Sequence, residues 1–298
     1  MSYSYRTMPK STASVPGMKM LVGDTENLRV SFLPDIVYAC RDGHELHLHI
    51  MTPVSADRDD DPRRWPVLVH IQGSAWMKQD LNNHVFDLKE IAAAGYLVVI
   101  VEYRDSSIAK LPAQVYDAKD AVRFVAEHIE ELKGDVQRMY VSGDSSGGHI
   151  ALLCWATWQR DLLDETGGSL PDIRAFIDLY GVCDLVTMAG EVSSIRHDTE
   201  DSPEGKALGG APAVMKEEAA RVNVLNYLDP GVKNAPLLIM HGNKDRLVPF
   251  AQSVMLYEAC MKTGKDAGFW CVDNADHGGA VFYCLAVYKV ILDFLAEH

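Results

Sequence analysis

The sequence lacks long hydrophobic runs, and it has no segment typical of a secretory signal. No stretch approaches the roughly 18 apolar residues that a membrane-spanning helix needs. The opening residues, MSYSYRTMPK, are followed by no apolar core of a signal peptide. We therefore expect a cytoplasmic protein that does not enter a membrane.

Paired cysteine motifs are also missing. No two cysteines form a Cys-x-x-Cys pair, and most of them lie in apolar stretches, which favours reduced, buried thiols over disulfides. His47 and His49 share one face of an alternating strand pattern, but no third ligand follows nearby, so we interpret them as solvated. We expect neither a metal nor an organic cofactor. The six cysteines are Cys40, Cys154, Cys183, Cys260, Cys271 and Cys284.

Basic residues are outnumbered by acidic ones, 28 to 42, which gives a formal net charge of −14. This charge argues against nucleic acid and anionic membranes as partners, and it mildly disfavours strongly anionic substrates. With 298 residues, 48% of them hydrophobic, the chain is long enough to bury a substantial core without disulfides. The oligomeric state is left open, a homodimer being one option.

Apolar runs and helical patterns alternate along the chain. Near-continuous runs at 66–71 and 97–101 predict strands buried on both faces of a parallel sheet. Residues 112–133 carry apolar side chains at helical spacing. The alternation predicts an α/β fold, with a mostly parallel central sheet and helices on both faces. Further strands are predicted at 28–37, 45–51, 173–180, 236–240 and 269–272, and further helices at 85–94, 250–262 and 280–295.

We expect one domain over residues 1–298, with two segments outside the regular pattern. Residues 1–27 are polar and read as an N-terminal arm. Residues 181–231 lack clean periodicity and are too long for a plain loop, so we predict short helices that form a small cap near the site. The mixed charge run at 57–64 predicts a surface turn.

The sequence Gly143-Asp144-Ser145-Ser146-Gly147 lies between a β-prone run and a helical segment. In this context Gly-x-Ser-x-Gly predicts a nucleophile elbow, a sharp turn that exposes one side chain above the sheet. Glycines are needed because a Cβ would strike the neighbouring strand and helix. Ser145 is then the candidate nucleophile, and Ser146 offers its N–H to an oxyanion at the start of a helix.

An acid and a base follow the serine in the expected order. Asp245 comes directly after the strand predicted at 236–240, where open α/β sheets place their ligands. His277 lies in a glycine-rich loop after the next strand. A serine hydroxyl needs such a base, and the acid orients the imidazole and stabilises its charged form. Asp184, after the strand at 173–180, is the weaker alternative for the acid.

The segment after the strand at 66–71 is suited to oxyanion binding. Gly73, Ser74 and Ala75 are small, so the backbone can approach a substrate oxygen closely. Trp76 follows and adds bulk near the place where an acyl chain would lie. Gly73 and Trp76 are therefore candidates for the substrate pocket.

Together these motifs resemble the α/β-hydrolase superfamily over roughly residues 30–298. The similarity is greatest to hormone-sensitive-lipase-like, feruloyl-esterase-like and acetyl-esterase-like enzymes and to kynurenine formamidases. The departure is at Gln72, Ser74 and Ala75, where that branch usually has His-Gly-Gly-Gly-Trp or His-Gly-Gly-x-Trp. By position, the resemblance implies oxyanion donors at the N–H groups of Ser74, Ala75 and Ser146. The segments that carry it are 72–76, 102–104, 143–148, 241–245 with 248–249, and 276–279.

The resemblance implies a serine carboxylesterase acting on small-molecule esters with a short acyl group. An amidase, a formamidase or an exopeptidase could use the same three side chains, because esters and amides share a tetrahedral intermediate. A binding protein on a catalytically dead scaffold is a remoter alternative, since the candidate nucleophile, acid and base are all present. No basic amphipathic face is available to dock on a lipid surface, which argues against long-chain substrates.

Overall fold

A computed structural model describes residues 3–24, 26–56 and 61–298, and its centre is an eight-stranded sheet. The strand order is β1-β2-β4-β3-β5-β6-β7-β8, antiparallel at β1-β2 and β2-β4 and parallel in every other pair. The strands are β1 Arg29–Arg41, β2 His44–Val54, β3 Trp65–Ile71, β4 Leu97–Val101, β5 Gly134–Asp144, β6 Ala175–Leu179, β7 Leu237–Gly242 and β8 Ala267–Val272.

Within the described ranges, seven α-helices accompany this sheet, and the segment between β6 and β7 also contains the short 3-10 helices Thr187–Gly190 and Val224–Tyr227. The mixed, mostly parallel α/β architecture predicted from the alternating patterns is confirmed. The α-helices are α1 Val85–Ala93, α2 Ala113–Glu127, α3 Ser145–Thr157, α4 Pro203–Leu208, α5 Lys216–Arg221, α6 Ala251–Lys262 and α7 Leu285–Glu297.

Two hydrophobic cores lie on opposite faces of the sheet. On β3, Val67 and Val69 pack into the core that includes α2 and α3, whereas Leu68 packs into the core that includes α1 and α7. Successive side chains of a strand point to opposite faces, so a strand covered on both sides must be apolar throughout. This packing explains the uninterrupted apolar runs in the sequence.

Some local predictions were wrong. β1 continues to Arg41, beyond the predicted end at residue 37, because it pairs with β2 along its full length. His49 is buried and not solvated, because its ring packs against Phe32 and its Nδ1 accepts the N–H of Asp35. Helix α7 begins at Leu285 instead of residue 280.

The cysteines and the charge run also need a correction. All six cysteines are free, but Cys40, Cys271 and Cys284 are exposed, so the prediction of buried thiols holds for only three of them. Of the predicted surface turn at 57–64, residues 57–60 lie outside the described residues. Among the described residues, no helix is both long enough and apolar enough to cross a membrane.

The turn from β5 into α3 is tightly packed. β5 ends at Asp144, and α3 begins at Ser145. A Cβ on Gly147 would lie 2.0 Å from the carbonyl oxygen of Ile71 on β3, and a Cβ on Gly143 would lie 2.2 Å from the carbonyl oxygen of Gly147. The predicted need for glycine at both positions is therefore confirmed.

Asp178 on β6 is a buried acid below this turn. Its Oδ1 accepts the N–H of Gly181 at 3.0 Å, and its Oδ2 has no partner among the described residues. Burial raises the pKa of Asp178 to about 8. Asp178 therefore keeps its proton at neutral pH, whereas in the unfolded chain it is ionised above about pH 4.

Replacing Asp178 with Asn should stabilise the protein increasingly as the pH rises from about 5 to 8. In this range the native wild type holds a proton that the unfolded chain has lost, so its free energy of unfolding falls with pH. The neutral amide removes this loss, which amounts to at most ~1.4 kcal/mol per pH unit. Urea unfolding of both proteins at pH 5 and pH 8 measures the difference. If the two proteins differ in free energy of unfolding by the same amount at pH 5 and at pH 8, the raised pKa of Asp178 is contradicted.

Candidate active site

Three side chains form a continuous hydrogen-bonded chain at the carboxyl ends of β5, β7 and β8. His277 Nε2 lies 2.8 Å from Ser145 Oγ, and His277 Nδ1 lies 2.7 Å from Asp245 Oδ2. An ionised carboxylate only accepts hydrogen bonds, so Nδ1 carries the proton and Nε2 accepts from the serine hydroxyl. The structure thus brings together the three residues predicted from the sequence.

The side chain of Asp245 is buried, yet it is held in the ionised form. Burial alone raises its pKa, but hydrogen bonds from His241 and His277 outweigh burial and lower the pKa to about 2. Its other oxygen accepts the N–H groups of Leu247 and Val248 at 2.8 and 2.9 Å. His241 braces this loop, as predicted, through Nε2 to Asp245 and through Nδ1 to Ser253.

The alternative acid, Asp184, is engaged elsewhere. Its Oδ1 accepts the N–H of Val186 at 2.9 Å, and its own N–H donates to Gln252 Oε1. This carboxylate closes a local turn and makes no hydrogen bond to His277. The geometry therefore favours Asp245 over Asp184 as the partner of the imidazole.

Ser145 has a strained backbone. Its φ is 53°, in the left-handed region that residues with a Cβ rarely adopt. The preceding residue is extended and the following ones are helical, so the chain reverses sharply at this point. Such strain persists only where the surrounding packing enforces it, and it is concentrated at functional sites.

The segment at 73–76 packs directly against this turn. A Cβ on Gly73 would lie 2.6 Å from the carbonyl oxygen of Asp144, and the Gly73 N–H donates to Asp144 Oδ1 at 2.8 Å. Ala75 and Trp76 both have positive φ, 56° and 54°. Ala75 and Trp76 line the cavity at Ser145, whereas Gly73, predicted as a pocket residue, is not among the lining residues.

The N–H of Ser74, predicted to be an oxyanion donor, is already hydrogen-bonded within the protein. Its N–H donates to Ser146 Oγ at 2.8 Å, and its hydroxyl lies 2.9 Å from the hydroxyl of Tyr103. Tyr103 is buried, lies 3.3 Å from Ser146 Oγ, and has a pKa that burial raises to about 12, so it remains a neutral donor. In this arrangement Ser74 supports the loop, which leaves Ala75 and Ser146 as the better candidates for oxyanion donors.

Asp144 is braced by two histidines. His70 Nε2 lies 3.2 Å from Oδ1 and His84 Nε2 lies 3.6 Å from Oδ2, and ligand atoms of all three residues lie within 4.8 Å of one another. Burial alone would raise the pKa of Asp144, but the two histidines hold it well below its usual range. We interpret this cluster as a brace that fixes the elbow, and the expectation of no metal stays a prediction.

The cavity at Ser145 is small. Its volume is about 60 Å³, and roughly 10–15 Å³ suffices to admit one water, so it has room for only a few heavy atoms. Most of its wall is apolar. The lining residues are Ala75, Trp76, Ser145, Ser146, Val182, Ile195, His197, Pro203, Glu204, Leu247, Val248 and His277.

Two polar lining residues, His197 and Glu204, were missed by the sequence analysis. Both come from the β6–β7 segment and are buried, and His197 Nδ1 lies 3.0 Å from Glu204 Oε1. No periodicity or motif marked them. Glu204 directly follows Ser202-Pro203, and in α4 it is an acidic residue of the first helical turn. That sequence context is common at the start of helices, so it did not indicate a role in a cavity.

Comparison with known proteins agrees with this geometry. The BD-FAE family model matches residues 55–260, which include Ser145 and Asp245 and end before His277. The chain belongs to the BD-FAE family. The predicted resemblance to esterases of the α/β-hydrolase superfamily, and the predicted fold, are thereby confirmed.

Individual relatives are distant. The esterase LipQ of Mycobacterium tuberculosis is 27% identical over 240 residues, covering 78% of this chain and 55% of its own length. A truncated carbohydrate esterase from gut microbiota has a TM-score of 0.72 at 25% identity, covering 94% of this chain and 99% of that one. The propionate-bound esterase of Thermogutta terrifontis has a TM-score of 0.68 at 25% identity, covering 92% and 96%. The chain spans about half the length of the curated relatives that it matches.

Asp245→Asn should lower kcat about 10⁴-fold at neutral pH, because an amide stabilises the wrong imidazole tautomer. Asp184→Asn should have little effect, because Asp184 does not contact His277. Steady-state kinetics of both variants on an activated ester, with circular dichroism as a check on folding, makes the comparison. A larger loss of kcat in Asp184→Asn than in Asp245→Asn would instead identify Asp184, in the loop after β6, as the acid that partners His277.

Proposed function

We propose that this protein is a serine carboxylesterase that cleaves small esters through an acyl-enzyme intermediate. The observation that carries the proposal is the unbroken hydrogen-bonded chain from Ser145 through His277 to Asp245. Ser145 itself lies at the strained elbow and lines a cavity together with His277, the arrangement that serine hydrolases need. Family membership and esterase relatives support the same chemistry.

In this mechanism Ser145 Oγ attacks the ester carbonyl while His277 Nε2 takes its proton. Asp245 stays ionised, because its pKa is about 2, and stabilises the imidazolium that forms. His277 then protonates the departing alkoxide. A water molecule repeats the attack on the acyl-enzyme with His277 as base, which releases the acid and restores Ser145.

The negative oxygen of each tetrahedral intermediate needs donors. We propose the N–H groups of Ala75 and Ser146, at the loop after β3 and at the start of α3. Ser74 adds its own N–H only if the Ser146 hydroxyl turns away, since the two are hydrogen-bonded at 2.8 Å. The positive end of the α3 dipole favours the developing charge at Ser146.

The small cavity supports a short acyl group. Only about 60 Å³ is available beside Ser145, and Trp76 closes one side of it. Among the solved relatives, the Thermogutta terrifontis esterase is bound to propionate. Residues 181–231, within the β6–β7 segment, contribute Ile195, Pro203 and Glu204 to the wall, which supports their proposed role as a cap.

A cytoplasmic location is part of the proposal. All six cysteines are free, three of them exposed, and exposed thiols persist best where the environment keeps them reduced. The formal charge of −14 fits a small uncharged ester better than an anionic one.

For p-nitrophenyl esters, kcat/KM should stay level or rise slightly from two to about four acyl carbons and then fall. Each methylene that fits adds ~0.8 kcal/mol of binding, and each one that meets the wall subtracts more. The Ser145→Ala variant serves as the control and should lose nearly all turnover on every ester. A kcat/KM that climbs through twelve or sixteen carbons would indicate a lipase, and activity retained by Ser145→Ala would refute the mechanism.

A further inference from the structure

We infer that Glu204, paired with His197, forms a hydroxyl-recognition subsite in the cavity beside Ser145. The preferred ester then carries a free hydroxyl group close to its scissile carbonyl, in its acyl or its alcohol half. This inference rests on the proposed ester hydrolysis and specifies its substrate class.

The first observation is an unsatisfied buried carboxylate. The Glu204 side chain is only 2% exposed, and its Oε2 has no hydrogen-bond partner among the described residues. Buried polar atoms are nearly always paired, because leaving one unpaired costs about 1–3 kcal/mol. Glu204 lines the same cavity as Ser145 and His277, so a ligand in that cavity can supply the missing donor.

The second observation concerns the partners of His197. Its Nδ1 lies 3.0 Å from Glu204 Oε1, and its Nε2 lies 3.0 Å from Ser193 Oγ. The Ser193 hydroxyl also lies 3.1 and 3.0 Å from the carbonyl oxygens of Arg246 and Leu247. Both ring nitrogens of His197 therefore have partners within the protein, which leaves Glu204 Oε2 as the atom of this pair without one among the described residues.

The unpaired oxygen of Glu204 selects a ligand that donates a hydrogen bond. A hydroxyl group donates to Glu204 and can also accept a hydrogen bond. An ammonium group only donates, so it leaves the Trp76 N–H of the same cavity unpaired. A methyl group in the same place fits as well but leaves Oε2 unpaired.

Trp76 provides a third observation. It lines the same cavity, is 2% exposed, and its Nε1 has no partner among the described residues. An indole N–H only donates and an ionised carboxylate only accepts. A hydroxyl group can do both, which suits a cavity that leaves one donor and one acceptor unpaired.

The test compares pairs of esters in which one member carries a hydroxyl group where the other carries a methyl group. Ethyl glycolate and ethyl propionate place the difference in the acyl half, and 2-hydroxyethyl acetate and propyl acetate place it in the alcohol half. Ethyl glycinate tests a cation. Each kcat/KM, measured by pH-stat, is divided by the rate constant of hydroxide-catalysed hydrolysis of that ester, which removes intrinsic reactivity.

Wild type should prefer the hydroxyl member of at least one pair by about tenfold to a hundredfold, the value of a hydrogen bond to a charged group. Glu204→Gln, which keeps the size of the side chain, should reduce this ratio about tenfold or more. The matched control is Glu200→Gln, at an exposed glutamate of the same segment, and it should leave the ratio unchanged. Simple damage to the fold lowers both members of a pair alike and does not move the ratio.

Three results would overturn the inference. They are equal rates for both members of each pair in wild type, an unchanged ratio in Glu204→Gln, and a preference for ethyl glycinate over ethyl glycolate. Failure of wild type to hydrolyse any of the five esters is a different outcome, since it would overturn the proposed esterase activity itself.

Discussion

The turn from β5 into α3 is the constraint on which the rest of the site depends. The chain passes from a buried strand to a buried helix within one residue, and Ser145 takes a φ of 53° to do so. Gly147 lies so close to Ile71 that no side chain fits, and Asp144 holds the Gly73 loop by a direct hydrogen bond. The proposed nucleophile, Ser145, and the proposed oxyanion loop are therefore fixed to each other by backbone packing, and His70 and His84 hold Asp144 in place.

The sheet supplies the other half of the arrangement. Parallel strands end at one edge, so loops after β5, β7 and β8 meet although Ser145, Asp245 and His277 are far apart in sequence. The buried carboxylate of Asp245 can remain ionised only because two imidazoles and two backbone N–H groups surround it. The same loop thus stabilises the buried charge and orients the proposed base.

Features set by local periodicity or by a motif could be predicted from the sequence. The apolar runs gave β3 and β4, and the order of Ser145, Asp245 and His277 gave the three residues that the structure brings together. Features set by long-range packing could not. Whether His49 is solvated depends on how Phe32 and Asp35 of β1 pack against it, and the partners of Ser74 depend on where Ser146 and Tyr103 lie. Glu204 is a candidate for ligand binding only because the fold of the β6–β7 segment places it beside Ser145, which no local sequence pattern indicates.

Covalent labelling tests the central claim, a nucleophilic Ser145 activated by His277, most directly. The protein is treated with a fluorophosphonate probe, digested, and mapped by mass spectrometry. We expect one adduct per chain, on Ser145, with greatly slowed labelling in His277→Ala and none in Ser145→Ala. Labelling that is absent in the folded wild type, or that persists in Ser145→Ala at the wild-type rate, would contradict the account.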